Sequence, residues 1–179
     1  MMNTTTKGYT FVFMGVTSCG KSTIGEAVAK IIGSKFIDGD DLHPRSNIEK
    51  MMSGQPLNDS DREPWLKRIN DIAFSIEQKN EIAVVVSSAL KRKYRDMLRY
   101  RNNKVRFIYL HGDYELILAR MQARKGHFMP VGLIKSQFDV LEEPTDDESD
   151  VFRVSIDSSM EDVIDRASIA VMNVIEGQL

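Results

Sequence analysis

A three-layer α/β/α fold built on a parallel sheet is the architecture this sequence predicts, and three observations carry it. Short apolar strand candidates alternate with amphipathic helical patterns along the chain. One candidate, Ile82-Ala83-Val84-Val85-Val86, is apolar without interruption, as a strand covered on both faces must be. A glycine-bearing loop, Gly15 to Ser22, leads from the first strand candidate straight into a helix pattern, as in a strand–loop–helix unit. With 179 residues the chain is long enough for one domain, 1–179, with a real core.

The elements follow in order. Strands are expected at Thr10–Met14, Lys35–Ile37, Ile82–Ser87, Val105–Leu110 and Val151–Ile156. Ile24, Ala27, Val28 and Ile31 fall at helical spacing after the loop. Trp65, Ile69, Ile72 and Ile76 form a second stripe, and Val163, Ala167, Val171 and Val174 a third. Ser158-Ser159-Met160-Glu161 reads as a capping box for the last helix. Ser60-Asp61-Arg62-Glu63 carries the same signal, with Pro64 leaving that boundary open.

The loop itself, Gly15-Val16-Thr17-Ser18-Cys19-Gly20-Lys21-Ser22, has the spacing G-x-x-x-x-G-K-[ST] and runs on into Thr23. Its glycines let backbone N–H groups turn inward toward phosphates, Lys21 reaches the β- and γ-phosphates, and the Ser22 hydroxyl can ligate Mg²⁺. A plain glycine-rich turn does not explain Lys21 at a helix start, where a cation opposes the helix dipole unless an anion sits there. The expected ligands are therefore ATP and Mg²⁺.

In a parallel sheet, ligands gather at the carboxyl ends of the strands. After the second strand stand Asp38, Asp40 and Asp41, then His43-Pro44. Asp38 is assigned to the magnesium side and Asp40 to the acceptor as its base; the competing reading is an acidic turn that caps a helix. His43 either hydrogen-bonds the acceptor or packs against Pro44. The third strand ends in serine, not in an acid, which makes Asp38 the more necessary metal partner. Beyond it, the cluster Lys91-Arg92-Lys93-Tyr94-Arg95 suits an anionic acceptor, with Arg92 and Arg95 favoured because a guanidinium grips carboxylate bidentately; the alternative is a solvated basic face. Arg120 and Arg124, four apart on a helix ended by Gly126 and Pro130, are read as cations of a lid over about 120–140 that meets the transferring phosphoryl group. Dipole complementation at a helix end competes with that reading. His43, His111 and His127 lack metal-ligand spacing, so no zinc site is expected.

Composition narrows the partners. Apolar residues make up 42 % and charged residues 28 % of the chain, with a formal charge of −2, which gives no global attraction for nucleic acid or an anionic membrane. The single cysteine, Cys19, excludes an intrachain disulfide; with a polar N-terminus it suits a cytoplasmic protein.

These residues resemble the small phosphate-loop gluconokinases. The resemblance rests on Met14-Gly15-Val16, Asp38-Gly39-Asp40 with Leu42-His43-Pro44, Asn47 to Met51, Pro56-Leu57 and Asp61-Arg62 with Pro64-Trp65-Leu66. It continues through Ser88-Ala89-Leu90-Lys91, Tyr94-Arg95-Asp96, Arg124 with Gly126-His127-Phe128, Gln137-Phe138 and Leu141-Glu142 with Pro144, nearly end to end. It implies a phosphate-loop NTPase fold of the shikimate and nucleoside monophosphate kinase type with a lid. It further implies ATP-dependent phosphorylation of D-gluconate at the 6-hydroxyl, and a homodimer. On that resemblance Asp40, His43, Arg92, Arg95 and His127 bind the acceptor, and Lys21, Asp40, Arg120 and Arg124 carry catalysis. Two departures stand out. Ser18 replaces a usual glycine, so its backbone must reach a conformation open to other residues. Cys19 beside the phosphates is either oxidisable or an inert small residue. Rival readings are a kinase for another small acceptor, such as shikimate, and a non-catalytic ATP sensor.

Overall fold

The computed structural model describes residues 8–124 and 131–178. Five parallel strands form one sheet in the order β2-β3-β1-β4-β5: β1 Thr10–Met14, β2 Lys35–Asp38, β3 Ala83–Val86, β4 Val105–His111 and β5 Val151–Ser155. All five strand expectations hold to within a residue or two. Seven helices are described: α1 Lys21–Ile32, α2 Arg45–Met52, α3 Asp59–Gln78, α4 Arg92–Arg99, α5 Tyr114–Ala123, α6 Val131–Val140 and α7 Met160–Ile175. A short 3-10 turn, Gly39–Leu42, follows β2.

The period-two alternation of the central strands sorts the core into two layers. Phe11, Phe13, Val84 and Val86 pack with Ile24 and Val28 of α1 and with Val163, Ala167 and Val171 of α7. Val12, Met14 and Val85 face Trp65, Leu66 and Ile69 of α3 and Tyr94 and Leu98 of α4. Because both faces are covered, β1 and β3 are buried along their whole length. One stripe residue, Ile31, is 57 % exposed; it lies in the last turn of α1, beyond its buried residues.

Two capping signals lie elsewhere than the sequence pattern suggests. At α3 the reciprocal box joins Asn58 and Asp61: Asp61 N–H donates to Asn58 Oδ1 at 2.8 Å, and Asn58 N–H to Asp61 Oδ2 at 2.9 Å. At α7 the cap is Ser159, which accepts from Asp162 N–H at 3.1 Å, while the Ser158 hydroxyl donates to the Asp162 carboxylate at 2.7 Å. At α3 aspartate at the third position closes the box, which a search for glutamate overlooks; at α7 the aspartate instead accepts from the hydroxyl that precedes the cap.

Candidate active site

The phosphate loop runs from the end of β1 into α1, at the carboxyl edge of the sheet. Gly15 has φ +146°, and a β-carbon there would stand 2.6 Å from the Leu110 carbonyl oxygen, so only glycine fits. Ser18 adopts φ +63°, the left-handed region that glycine would occupy at no cost. Gly20, also left-handed, caps α1 and aims its first turn into the loop. Lys21 Nζ donates to the Val16 carbonyl at 2.9 Å, folding its ammonium over the loop. Cys19 is fully buried in the core, its Sγ 3.9 Å from Lys21 Nζ. A thiol closed to solvent packs the loop against Gly15; it is not placed as an exposed redox sensor.

A cavity of about 300 Å³ opens above this loop. The loop contributes Thr17, Ser18, Gly20, Lys21, Ser22 and Thr23 to its wall; Asp40, the end of β3 and Arg124 complete it. Gln137 of α6 also lines it, and its Oε1 accepts from Thr17 N–H at 2.7 Å. Sequence reasoning gave Gln137 no role; its only signal was membership in a family motif.

The acidic turn is held against the sheet by Gly39. A β-carbon on Gly39 would lie 2.3 Å from the Val86 carbonyl oxygen, and its own carbonyl accepts from Trp65 Nε1 at 2.7 Å. The two carboxylates separate in role. Asp38 accepts from Asp40 N–H at 3.0 Å and caps the 3-10 turn, so the capping reading is realised for Asp38. Asp40 reaches the cavity, and burial, reinforced by the Asp38 charge, holds its pKa above the ordinary aspartate value against the pull of His43 and Lys21. His43 does not merely pack on Pro44: its ring stacks on Trp65 with centroids 4.2 Å apart and planes 18° from parallel.

The structure corrects three cations. Arg95 is fully buried, and all five of its N–H donors are engaged: Nε and Nη2 with the two Glu148 oxygens at 2.8 and 3.0 Å, the rest with the carbonyls of Ala89, Leu90 and Glu142. No donor remains for a substrate carboxylate. Arg92 pairs with Asp147 at 2.6 Å, while its backbone N–H donates to the Glu142 carboxylate at 2.8 Å. Arg120 does not share a face with Arg124. Helix α5 ends at Ala123, Arg124 leaves it with extended backbone, and Arg120 Nη2 donates to the carbonyls of Ile156 and Ser158. Arg124 lines the cavity and Arg120 does not. His127, also expected at the site, lies outside the described residues.

Two further cations, to which sequence reasoning gave no role, gather at Tyr94. Arg62 donates to the neutral Tyr94 hydroxyl at 3.3 Å and lies over the Tyr94 ring, with no ion pair among the described residues. Burial lowers the His43 pKa, the Asp40 charge opposes that shift and the Arg62 charge adds to it. Lys91, at the Tyr94 ring as well, is paired with Asp59 at 3.3 Å.

The donors around the cavity are hard oxygens: the Ser22 hydroxyl and the Asp40 carboxylate, with Asp38 behind. That set suits magnesium, which takes few protein ligands and completes its shell from phosphates and water. Among the described residues no group of three His, Cys, Asp or Glu gathers to hold a metal by itself.

Comparison with known proteins agrees with this geometry. A family model described as shikimate kinase matches residues 17–175. The thermosensitive gluconokinase of Escherichia coli (strain K12) is 50 % identical over 172 residues, covering 96 % of this chain and 92 % of that protein. The thermoresistant gluconokinase of the same organism is 48 % identical over 164 residues, covering 92 % of this chain and 94 % of that one. A crystal structure of a gluconokinase from Sinorhizobium meliloti 1021 superposes with a TM-score of 0.85 at 40 % identity, covering 96 % and 95 % of the two chains. Shikimate kinase from Aquifex aeolicus, at 13 % identity and a TM-score of 0.56, shares the fold alone. A phosphate loop facing an aspartate across one cavity, on a chain this similar along nearly its whole length, leads to one conclusion: the protein belongs to the gluconokinase family of shikimate-kinase-like phosphotransferases.

Proposed function

We propose that the protein transfers the γ-phosphoryl group of ATP to the 6-hydroxyl of D-gluconate, giving 6-phosphogluconate and ADP. One observation carries the reading: a single cavity is lined by both Lys21 and Ser22 of the phosphate loop and the carboxylate of Asp40. Phosphoryl transfer passes through a loose transition state, so the protein's work is positioning and charge neutralisation. The loop amides and Lys21 hold the phosphates. Arg124, facing the same space, meets the developing charge. Asp40, its proton affinity raised, orients the acceptor hydroxyl and takes its proton. The acceptor's carboxylate is assigned to Arg62, whose guanidinium donates to the Tyr94 hydroxyl, has no ion pair among the described residues and is electrostatically coupled to His43.

Magnesium belongs to the proposal, held by Ser22 and, through water, by Asp38; when bound it neutralises phosphate charge. The lid expected over about 120–140 enters the proposal through its described residues, Arg124 at the cavity and Gln137 on Thr17; 125–130 lie outside the described residues. A homodimer comes from the family resemblance, and a cytoplasmic location from the single cysteine and the composition. Among the described residues no helix is long and apolar enough to cross a membrane.

ADP release measured over gluconate, idonate, shikimate and nucleoside monophosphates tests the reading. Gluconate should give the highest kcat/KM. Preference for shikimate or a nucleotide would overturn the acceptor assignment, and nucleotide binding without acceptor-stimulated turnover would make the protein a sensor.

A further inference from the structure

Asn47, in the first turn of α2, is 3 % exposed. Its side-chain nitrogen donates to the Asp61 carbonyl oxygen at 2.8 Å and lies 3.2 Å from His43 Nδ1. A carbonyl oxygen can only accept, so the atom facing Asp61 is the amide nitrogen. The second N–H of that same nitrogen then points at His43 Nδ1, which must offer a lone pair. A neutral imidazole carries one proton, and here it resides on Nε2. Trp65 fixes the ring plane by stacking, and is itself tied to the Gly39 carbonyl at 2.7 Å.

We infer that Asn47 is a positioning residue: it locks His43 as the Nε2–H tautomer, so that the ring presents one fixed hydrogen-bond donor to the acceptor's hydroxyl oxygens beside Asp40. The inference rests on the reading of this region as the acceptor site. It separates two roles that a histidine next to an aspartate leaves ambiguous. A ring that donates through Nε2 and is blocked at Nδ1 takes no proton from the substrate, so the base is the carboxylate alone. Charging the ring would set an N–H against the Asn47 N–H. Burial lowers the ring's proton affinity in the same direction; of the charged groups that face it, Asp40 opposes that shift and Arg62 of α3 adds to it.

Nitrogen-15 NMR of the imidazole in the full chain, without substrates, reads the tautomer directly. The wild-type ring should show Nε2 protonated and Nδ1 bare from about pH 6 to pH 8. In Asn47→Asp the carboxylate accepts from Nδ1, and the pattern should reverse. If that variant fails to fold, His43→Gln and His43→Asn decide: the glutamine amide reaches the place of Nε2, and the asparagine amide that of Nδ1. His43→Gln should keep the gluconate KM within about threefold, while His43→Asn raises it about tenfold or more, with the KM for ATP unmoved in both. A wild-type ring protonated at Nδ1 overturns the lock, and equal gluconate KM values for the two variants overturn the donor role. An Nε2–H ring in a protein that phosphorylates no sugar acid refutes the site reading, and the acceptor role with it, while the lock itself stands.

Discussion

The two walls of the cavity teach different lessons. The phosphate wall is one contiguous segment, Gly15 to Thr23, whose chemistry is mostly backbone: amides, a helix start, one lysine and one hydroxyl. Across from it Asp40 and the end of β3 line the cavity, and the proposed acceptor side extends from them over the turn after β2, α2 and α3, its chemistry that of side chains held by packing. A contiguous loop declares itself in the sequence. A wall assembled from distant segments declares only its residue types, because which arginine faces the cavity depends on acidic partners about fifty positions away.

Perturbing both walls sharpens that contrast. The largest effect belongs to Asp40, where the walls meet: Asp40→Asn should lower kcat by roughly 10²–10⁴, with a loss under threefold removing the base role. The same change should raise thermal stability near neutral pH. A carboxyl whose folded pKa is raised holds its proton more tightly in the native state. That contribution is present below the unfolded value and lost as pH rises through the folded one. Melting curves at several pH values therefore should show the Asn variant gaining stability as pH rises, and no gain in acid.

Arg95→Ala should be a stability mutant. It removes a buried guanidinium with five engaged donors and leaves Glu148 with Arg99 as its one cationic partner among the described residues, which should cost about 3–5 kcal/mol, with melting shifted far more than the gluconate KM; the opposite pattern would return Arg95 to the acceptor site. Glu148 is the mirror image of Asp40. Burial raises its pKa, but hydrogen bonds from Arg95 and Arg99 outweigh that and bring it down to about 2. Its contribution is present above the ordinary glutamate range and fades as pH falls toward about 2. Glu148→Gln should therefore flatten the acid limb of the stability profile.

Arg62→Ala should raise the gluconate KM about 10- to 100-fold, as loss of a charged hydrogen bond does, with the ATP KM little changed. If ATP binding weakens equally, Arg62 is not an acceptor group. The smallest effect concerns capping: Ser159→Ala should cost α7 about 1 kcal/mol, and Glu161→Gln almost nothing. A larger loss at Glu161 would restore the box one residue earlier.

The fold was legible because a parallel sheet buried on both faces leaves continuous apolar strands, and the five strands were placed to within a residue or two. Asp38-Gly39-Asp40 was legible as an acidic turn at a strand end, although the reason for its glycine, the close Val86 carbonyl, is tertiary. Arg95 was illegible because Glu148 lies 53 positions on, beyond β4, α5 and α6. Arg120 was misplaced for the same reason: its carbonyl partners at Ile156 and Ser158 come from the loop after β5. Asn47 sits inside a quoted motif, yet its bond to Asp61 needs two helices brought together.

The most direct test of the account is where the phosphate lands. Carbon-13 NMR of labelled D-gluconate, incubated with the enzyme, ATP and Mg²⁺, should show phosphorus coupling at C6 as ADP accumulates, because the proposed site sets the terminal alcohol at Asp40 and the carboxylate at Arg62. Coupling confined to the carboxyl end, or ADP formation without any phosphorylated sugar acid, would contradict it.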